Sequence, residues 1–300
     1  MIKQKDIVII GAGPAGLAAA IYSARNGYST LALDPMGPGG QLMFIDELEN
    51  YPGLPPISGY ELIADFEKQA EAFGAEIEFS EVSAIRKADK AIIIASDSGE
   101  IEAKAAIIAT GTRHKLLGIS GEKEYKGKGV SYCATCDGAF FRGKKAIVVG
   151  GGDTALTEAL YLSRICSEVT VVHRRSEFRG QRILQDRLRK KDNIHCIMNS
   201  SIKEILGNSK NVTGVLLADG KELQTDSVFI FIGTEPNTSF ISGMIELQNG
   251  YIITDSEMRS SEPGIFAAGD VRKTPLRQVV TAASDGAIAA EAAAKYIESL

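Results

Sequence analysis

Ile7-Val8-Ile9-Ile10, Gly11-Ala12-Gly13-Pro14-Ala15-Gly16 and the alanine-rich residues 17–26 follow one another as an apolar strand, a glycine turn and a helix. Gly27 ends that helix, and residues 30–33 give a second strand. The same order returns 139 residues further on. A strand over 146–149 leads into Gly150-Gly151-Gly152-Asp153-Thr154-Ala155, a helix over 156–165 and a strand over 169–172. A strand feeding such a glycine turn and a helix is the setting of a dinucleotide fingerprint. The first glycine makes the tight turn, the second leaves room for a pyrophosphate, and the third, or an alanine, lets helix and strand pack closely. The helix N-terminus then faces the phosphate charge. Two such units predict an α/β fold with two Rossmann-like nucleotide domains.

The residue closing each second strand separates the two sites. Asp34 lies 23 residues after Gly11, where an acid can accept a hydrogen bond from a ribose 2′-hydroxyl. His173 lies 23 residues after Gly150, followed by Arg174 and Arg175, with Arg179 close behind. Guanidinium pairs bidentately with phosphate, so the second site is expected to prefer NADPH over NADH. A solvated basic helix is the other reading of these arginines, and the better one for Arg182, Arg187, Arg189, Lys190 and Lys191. Two more apolar strands, 105–109 before Thr110-Gly111 and 228–232 before Gly233-Thr234, close the two domains. The second domain is expected at 115–243, inserted into a first made of 1–114 and 244–300. Two crossing segments suit a hinge, expected near 113–118 and 243–248.

Cys133-Ala134-Thr135-Cys136-Asp137 precedes the second fingerprint. Two cysteines at this spacing can close a disulfide within one helical turn, and at a helix N-terminus the thiolate is stabilised. Asp137 is adjacent and can act as acid or base for a leaving thiolate. Zinc and a purely structural disulfide are the alternatives. Zinc wants a second pair or suitable histidines, and His195 beside Cys196 is the only nearby candidate. Cys166 and Cys196 are expected to be buried small hydrophobes. His114 and His195 receive no role, and no metal site is expected.

Bulk properties bound the rest. A chain of 300 residues suggests about two domains. A formal net charge of -5 and a pI of about 5.4 argue against nucleic acid as the main partner. No apolar run reaches the length of a membrane span. Residues 1–6 are polar, without the charged-then-apolar pattern of a leader, so a cytoplasmic protein is expected. In that reducing compartment a close pair among four cysteines is catalytic or metal-binding rather than a scaffold.

In combination the motifs resemble the bacterial low-molecular-weight thioredoxin reductase family over essentially the whole chain. They are GAGPAG at 11–16, GGQL at 39–42, ENYPG at 49–53, ATG at 109–111, CATCDG at 133–138, GGGDTA at 150–155, HRR at 173–175, GIFAAGDV at 264–271 and RQVVTAASDGAIAA at 277–290. The resemblance implies FAD and NADPH as cofactors, thioredoxin as the disulfide substrate and a homodimer. It implies an FAD site of Gly11, Gly13, Pro14, Ala15, Gly16, Asp34, Gly40, Gln41, Leu42, Asn50, Val82, Thr110, Gly111, Gly269, Asp270, Arg277, Gln278 and Val279. Within it Asp270 would bind the ribityl chain, and Arg277 and Gln278 would lie near the isoalloxazine. The NADPH site would hold Gly150, Gly152, Asp153, Thr154, His173, Arg174, Arg175 and Arg179. Cys136 would be the flavin-proximal thiol, Cys133 the thiol that attacks the protein disulfide, and Asp137 the acid-base residue. A flavin thiol oxidase, a ferredoxin-fed reductase and a non-catalytic NADPH-binding regulator compete with this. The arginines speak against the first two, and the intact Cys-x-x-Cys-Asp beside two nucleotide sites against the third.

Overall fold

The computed structural model describes residues 2–45, 48–89, 91–241 and 243–300, leaving aside the side chains of Phe44 and Cys136. The chain divides into two compact units, one of Met1–Arg113 and Glu235–Leu300, the other of His114–Thr234. Both are α/β units, the first on a mixed sheet whose strands Val82–Ala88 and Ala91–Ser96 pair antiparallel and the second on a parallel one, and the second is inserted into the first.

In the first unit the apolar run of the fingerprint forms the strand Lys3–Ile10. Its sheet runs in the order Glu76–Phe79, Thr30–Asp34, Lys3–Ile10, Gly99–Ile108, Ala91–Ser96, Val82–Ala88, and Ile265–Ala267 also pairs with Gly99–Ile108. Ile10 is in register with Leu33 on one side and Ile108 on the other, both parallel. A strand buried on both faces must be apolar throughout, and Ile7, Val8, Ile9 and Ile10 are all buried. Alternation then splits them. Ile7 and Ile9 pack with the alanines of two helices, while Val8 and Ile10 pack with Leu31, Leu33, Ile241 and Ile245 on the other face. The strand begins earlier than its apolar run: Lys3 to Lys5 pair with Ile101 to Ala103, and their ammonium groups meet Glu76 and Glu78.

The second unit has a five-stranded parallel sheet in the order Ile194–Ile197, Glu168–Val172, Lys145–Gly150, Ser227–Phe231, Val130–Ser131. One face packs on the helices Asp153–Leu162 and Arg182–Arg189. The other packs on a three-stranded antiparallel sheet, Ile202–Gly207, Val212–Leu217 and Glu222–Gln224, through Ile202, Ile205, Val215 and Leu217.

The chain crosses between units within two short paired strands, Thr112–His114 and Thr234–Pro236. The second crossing therefore falls at Thr234/Glu235 and not at 243/244. Its cause is packing: Ile241 and Ile245 are buried in the first unit's core beside Val8 and Ile10. A hinge at 243–248 has no place there. Asn237 holds the crossing strands in the first unit, since Thr110 Oγ1 donates to its carbonyl at 2.8 Å and its Nδ2 donates to Thr110 O at 2.9 Å.

The fingerprint helix Pro14–Arg25 lies against the C-terminal helix Val279–Glu298. A Cβ on Gly286 would sit 2.1 Å from Ala15 O and 3.0 Å from Ala19 N, so the helices touch backbone to side-chain-free backbone. Gly286→Ala gains up to about 1 kcal/mol of helix propensity. It also forces the helices apart, at about 1–3 kcal/mol for an overpacked core and more where backbone blocks the way. The urea midpoint is expected to fall, and a rise would mean that the helices can separate freely.

Candidate functional site

Each glycine of the first fingerprint has a measurable reason, except one. Gly11 has φ +103°, and a Cβ there would meet Ala109 O at 2.4 Å. A Cβ on Gly16 would meet Gly11 O at 1.8 Å. Gly13 has an ordinary φ of -75°, and the nearest atom to its Cβ position is Gly40 Cα at 3.9 Å. The second fingerprint repeats this. Gly150 has φ +152° and faces Phe231 O at 2.3 Å, whereas Gly152, at φ -94°, would meet nothing within 4 Å. Packing of the protein demands the first glycine of each turn but leaves the second unexplained. A ligand approaching the backbone there supplies the reason.

Around the first turn the structure assembles most of the residues singled out by sequence. Asp34 accepts from the N–H of Ala12 at 2.9 Å and of Met36 at 2.9 Å. A carboxylate has roughly four acceptor sites, so capacity for a hydroxyl remains. Gly39 N–H donates to Ala12 O at 2.8 Å, laying Gly40, Gln41 and Leu42 over the turn. Gln41 Nε2 donates to Thr112 O and Oγ1. Leu42 and Val279 pack with Ala12 and Leu17 in one apolar cluster. Asn50 Nδ2 donates to Gln278 Oε1 at 2.9 Å, and Gln278 caps the helix Val279–Glu298. A Cβ on Gly269 would touch Ala15 Cβ at 2.8 Å, which places the Gly269–Val271 turn at the start of the fingerprint helix. Thr110 and Gly111 follow Ala109, whose N–H donates to Ile10 O at 2.7 Å. The Arg277 guanidinium lies over the Tyr251 ring, 4.4 Å from its centroid. Val82 stands apart and packs on the other face of the sheet, in the cluster of Val8 and Ile10.

Asp270 is half-buried, and its side chain makes no hydrogen bond to a described residue. Burial pushes its carboxyl above the usual range, against the pull of Arg277 and with the help of Asp285. Two residues not singled out from sequence hold it in place. Asp285 Oδ2 accepts from Arg272 Nη1 at 2.9 Å and from Gly269 N–H at 3.2 Å, and both side chains of the pair are largely buried. An acid amid the small residues Ala282 to Ala289 of the C-terminal helix was the available signal.

In the second unit the segment from His173 to Arg179 wraps back over the fingerprint. His173 is buried, its Nε2 lies 3.1 Å from Glu177 O, and its ring occupies the space a Cβ on Gly151 would need. Arg179 N–H and Gly180 N–H both donate to Gly151 O. Asp153 accepts from Gln181 N–H at 2.6 Å and from Gln181 Nε2 at 3.0 Å. His173 and Asp153 thus help to shape the loop. Arg174, Arg175, Arg179 and Thr154 are exposed, and among the described residues the three arginines have no ion pair. The helix Arg182–Arg189 presents its basic residues to solvent, with Leu188 buried beneath.

Cys133 is disulfide-bonded, whereas Cys166 and Cys196 are free thiols. The expectation for the Cys136 side chain lies outside the described residues. Ser131 Oγ accepts from Cys133 N–H and donates to Cys133 O, each at 3.0 Å, and Thr135 Oγ1 is 3.4 Å from Cys133 Sγ. Ala134 is fully buried in the core and anchors the loop. The helix Ala134–Asp137 is a single turn, too short for the aligned dipole that a longer helix would offer a thiolate. Asp137 N–H donates to Cys133 O at 3.3 Å. Next to the pair, Tyr132 donates to Glu122 at 2.7 Å. Glu122 is 1% exposed and also accepts from the N–H groups of Leu117 and Gly118, an anchor that sequence did not suggest. Burial pushes the Cys166 thiol up to about 11, which suits an inert core position. Cys196, expected to be buried, is exposed, because its strand Ile194–Ile197 is the edge of the sheet.

A model of the family described as pyridine nucleotide-disulphide oxidoreductase matches residues 5–286. The thioredoxin reductase of Treponema pallidum is 48% identical over 306 residues, covering 100% of this chain and 99% of that protein. The solved thioredoxin reductase of Lactococcus lactis superposes with a TM-score of 0.96 at 44% identity, over 99% of this chain and 100% of that one. That of T. acidophilum gives 0.93 at 40% identity, over 99% of each.

Burial, opposed by the Glu177 contact and aided by Arg179, Arg175 and Arg174, holds the His173 imidazole below its ordinary value of 6.5. The unfolded chain therefore takes up that proton first. Stability from a neutral His173 is whole above 6.5 and is lost as pH falls below it. The urea midpoint of the wild type is expected to decline more steeply than that of His173→Gln between about pH 7 and pH 5. Equal slopes would mean that His173 titrates alike folded and unfolded.

Proposed function

The chain belongs to the pyridine nucleotide-disulphide oxidoreductase family, and from that membership we propose that it is a thioredoxin reductase, using electrons from NADPH to reduce the disulfide of oxidised thioredoxin at the Cys133/Cys136 pair. The observation that carries this is a disulfide at Cys133 in the same unit as a dinucleotide turn flanked by exposed arginines that have no ion pair among the described residues. FAD, when bound, supplies the two-electron carrier between nicotinamide and disulfide.

The residues fit both cofactors. In the first unit Gly13 leaves an unfilled space over the fingerprint turn, and Asp270 offers a carboxylate without a hydrogen-bond donor among the described residues. These two, with Gly11, Pro14, Ala15, Gly16, Asp34, Gly40, Gln41, Leu42, Asn50, Thr110, Gly111, Gly269, Arg277, Gln278 and Val279, would hold FAD. Val82 would join them only from a distance. In the second unit Gly152 and Thr154 would face the NADPH pyrophosphate, and Arg174, Arg175 and Arg179 the 2′-phosphate. Gly150, Asp153 and His173 would keep that loop in shape.

In the reduced pair, the Cys133 thiolate attacks one sulfur of the thioredoxin disulfide and displaces the other as a thiolate. The Cys136 thiolate then attacks Cys133 Sγ, which releases the second thioredoxin thiolate and restores the enzyme disulfide. Asp137 would pass a proton to a departing thiolate. The exposed free thiol of Cys196 supports a reducing, cytoplasmic setting. No helix among the described residues is long and apolar enough to cross a membrane. For a homodimer, the exposed Tyr22 on the helix Pro14–Arg25 and Ile288 on the helix Val279–Glu298 offer apolar surface.

Two measurements test the reading. Anaerobic addition of NADPH to the flavin-loaded protein is expected to bleach the flavin, and oxidised thioredoxin to restore the colour. Cys136→Ser should lose that restoration, while bleaching that thioredoxin never reverses in the wild type would move the substrate elsewhere. Gly13→Ala is expected to keep apo-protein stability within about 0.5 kcal/mol, as for a site away from packing. The same change should weaken FAD binding about tenfold or more. Unchanged FAD affinity would place the pyrophosphate elsewhere.

A further inference from the structure

The ladder between Glu168–Val172 and Ile194–Ile197 continues past the ends of both strands. His173 N–H donates to Ile197 O at 2.9 Å, Ser200 N–H to His173 O at 3.1 Å, and Asn199 N–H to Arg175 O at 3.1 Å. The carbonyls of His173 and Arg175 are therefore both gripped from the neighbouring loop. On the other side the His173 ring rests on Gly151 and its Nε2 meets Glu177 O. Arg174 and Arg175 are pinned along their backbone while their side chains stay exposed and, among the described residues, without ion pairs. A cationic pair held this way loses less freedom when a phosphate arrives.

Asn199 has φ +54°, in the left-handed region that asparagine and glycine enter at low cost. Its side chain is exposed and makes no hydrogen bond to a described residue, so the backbone conformation accounts for the residue type. The left-handed turn is what aims its N–H at Arg175 O.

We propose that Asn199 is a positioning residue that sets the preference for a 2′-phosphorylated dinucleotide, by holding the backbone of Arg175 through this hydrogen bond. This rests on Arg174 and Arg175 as the 2′-phosphate ligands. A β-branched residue at 199 leaves the left-handed region and withdraws the N–H, whereas glycine keeps both.

The test is calorimetric titration of the flavin-loaded full chain with 2′,5′-ADP and, separately, 5′-AMP. Asn199→Val is expected to weaken 2′,5′-ADP about fivefold to tenfold and to leave 5′-AMP within about twofold, as the loss of one supporting hydrogen bond would. Asn199→Gly is expected to behave as the wild type. Asn199→Ala, a milder change, serves if the valine variant does not fold, and should lower the ratio in the same direction. Equal weakening of both ligands, or no change in either, would overturn the proposal. Arg174→Ala and Arg175→Ala separate it from its premise. If they leave the preference for 2′,5′-ADP intact, the 2′-phosphate reading itself fails. If they abolish it and Asn199→Val does not reduce it, only the role of Asn199 fails.

Discussion

Gly16 stands so close to Gly11 O that a single methyl would lie 1.8 Å from it. That contact fixes how far the fingerprint helix can stand from the strand that feeds it, and the remainder of the first unit follows. With the helix held down, Ala15 comes within reach of both Gly269 and Gly286, so the Gly269–Val271 turn and the C-terminal helix converge on the same end of the sheet. Asp270 and Gln278 arrive beside the glycine turn because nothing larger than hydrogen intervenes along this line. The second unit reaches the same geometry with different atoms: Ala155 replaces the third glycine, and the crowded glycine is Gly150, against Phe231 O.

Carboxylates play a recurring part in this scheme. Asp34, Asp153, Glu122 and Asp285 each accept at least one backbone N–H. Loops at strand ends carry N–H groups with no ladder partner, and a buried one is costly if left unmet. An acid meets two or three at once. Asp270 is the exception among the acids at the first unit's turn, since it is half-buried without a donor among the described residues. A half-buried acid left without a donor, beside others that are satisfied, is what a group awaiting a ligand would look like.

The two fingerprints were legible in sequence because glycine spacing, strand apolarity and helix onset all report one local unit. The arginines after His173 were legible too, as a cationic cluster at the place where the first unit has Asp34. Four things were not. The antiparallel strands 82–108 and 202–224 carry weak alternation, and their pairing is set by tertiary contact. The return to the first unit at Thr234/Glu235 hides in residues 239–245, where Ile241 and Ile245 look like linker until the core they fill is seen. Cys196 has the neighbours of a core strand, and only the sheet order reveals an edge. Asn237, Arg272 and Glu122 act through pairs separated by many residues or through backbone groups, which no motif records.

The clasp between Thr110 and Asn237, followed by the Arg113–Glu235 ion pair at 3.0 Å, has a bearing on how such a chain is put together. It leaves the two points where the insert departs and returns side by side on the host. The host therefore sees the 121 residues from His114 to Thr234 as one very long surface loop with its ends already closed. Loop-closure entropy rises only slowly with length, so exchanging that insert for another of different size costs the host little. Seen from the gene, the first unit is a chassis with a socket. What is plugged in decides the chemistry, while the socket itself can stay the same.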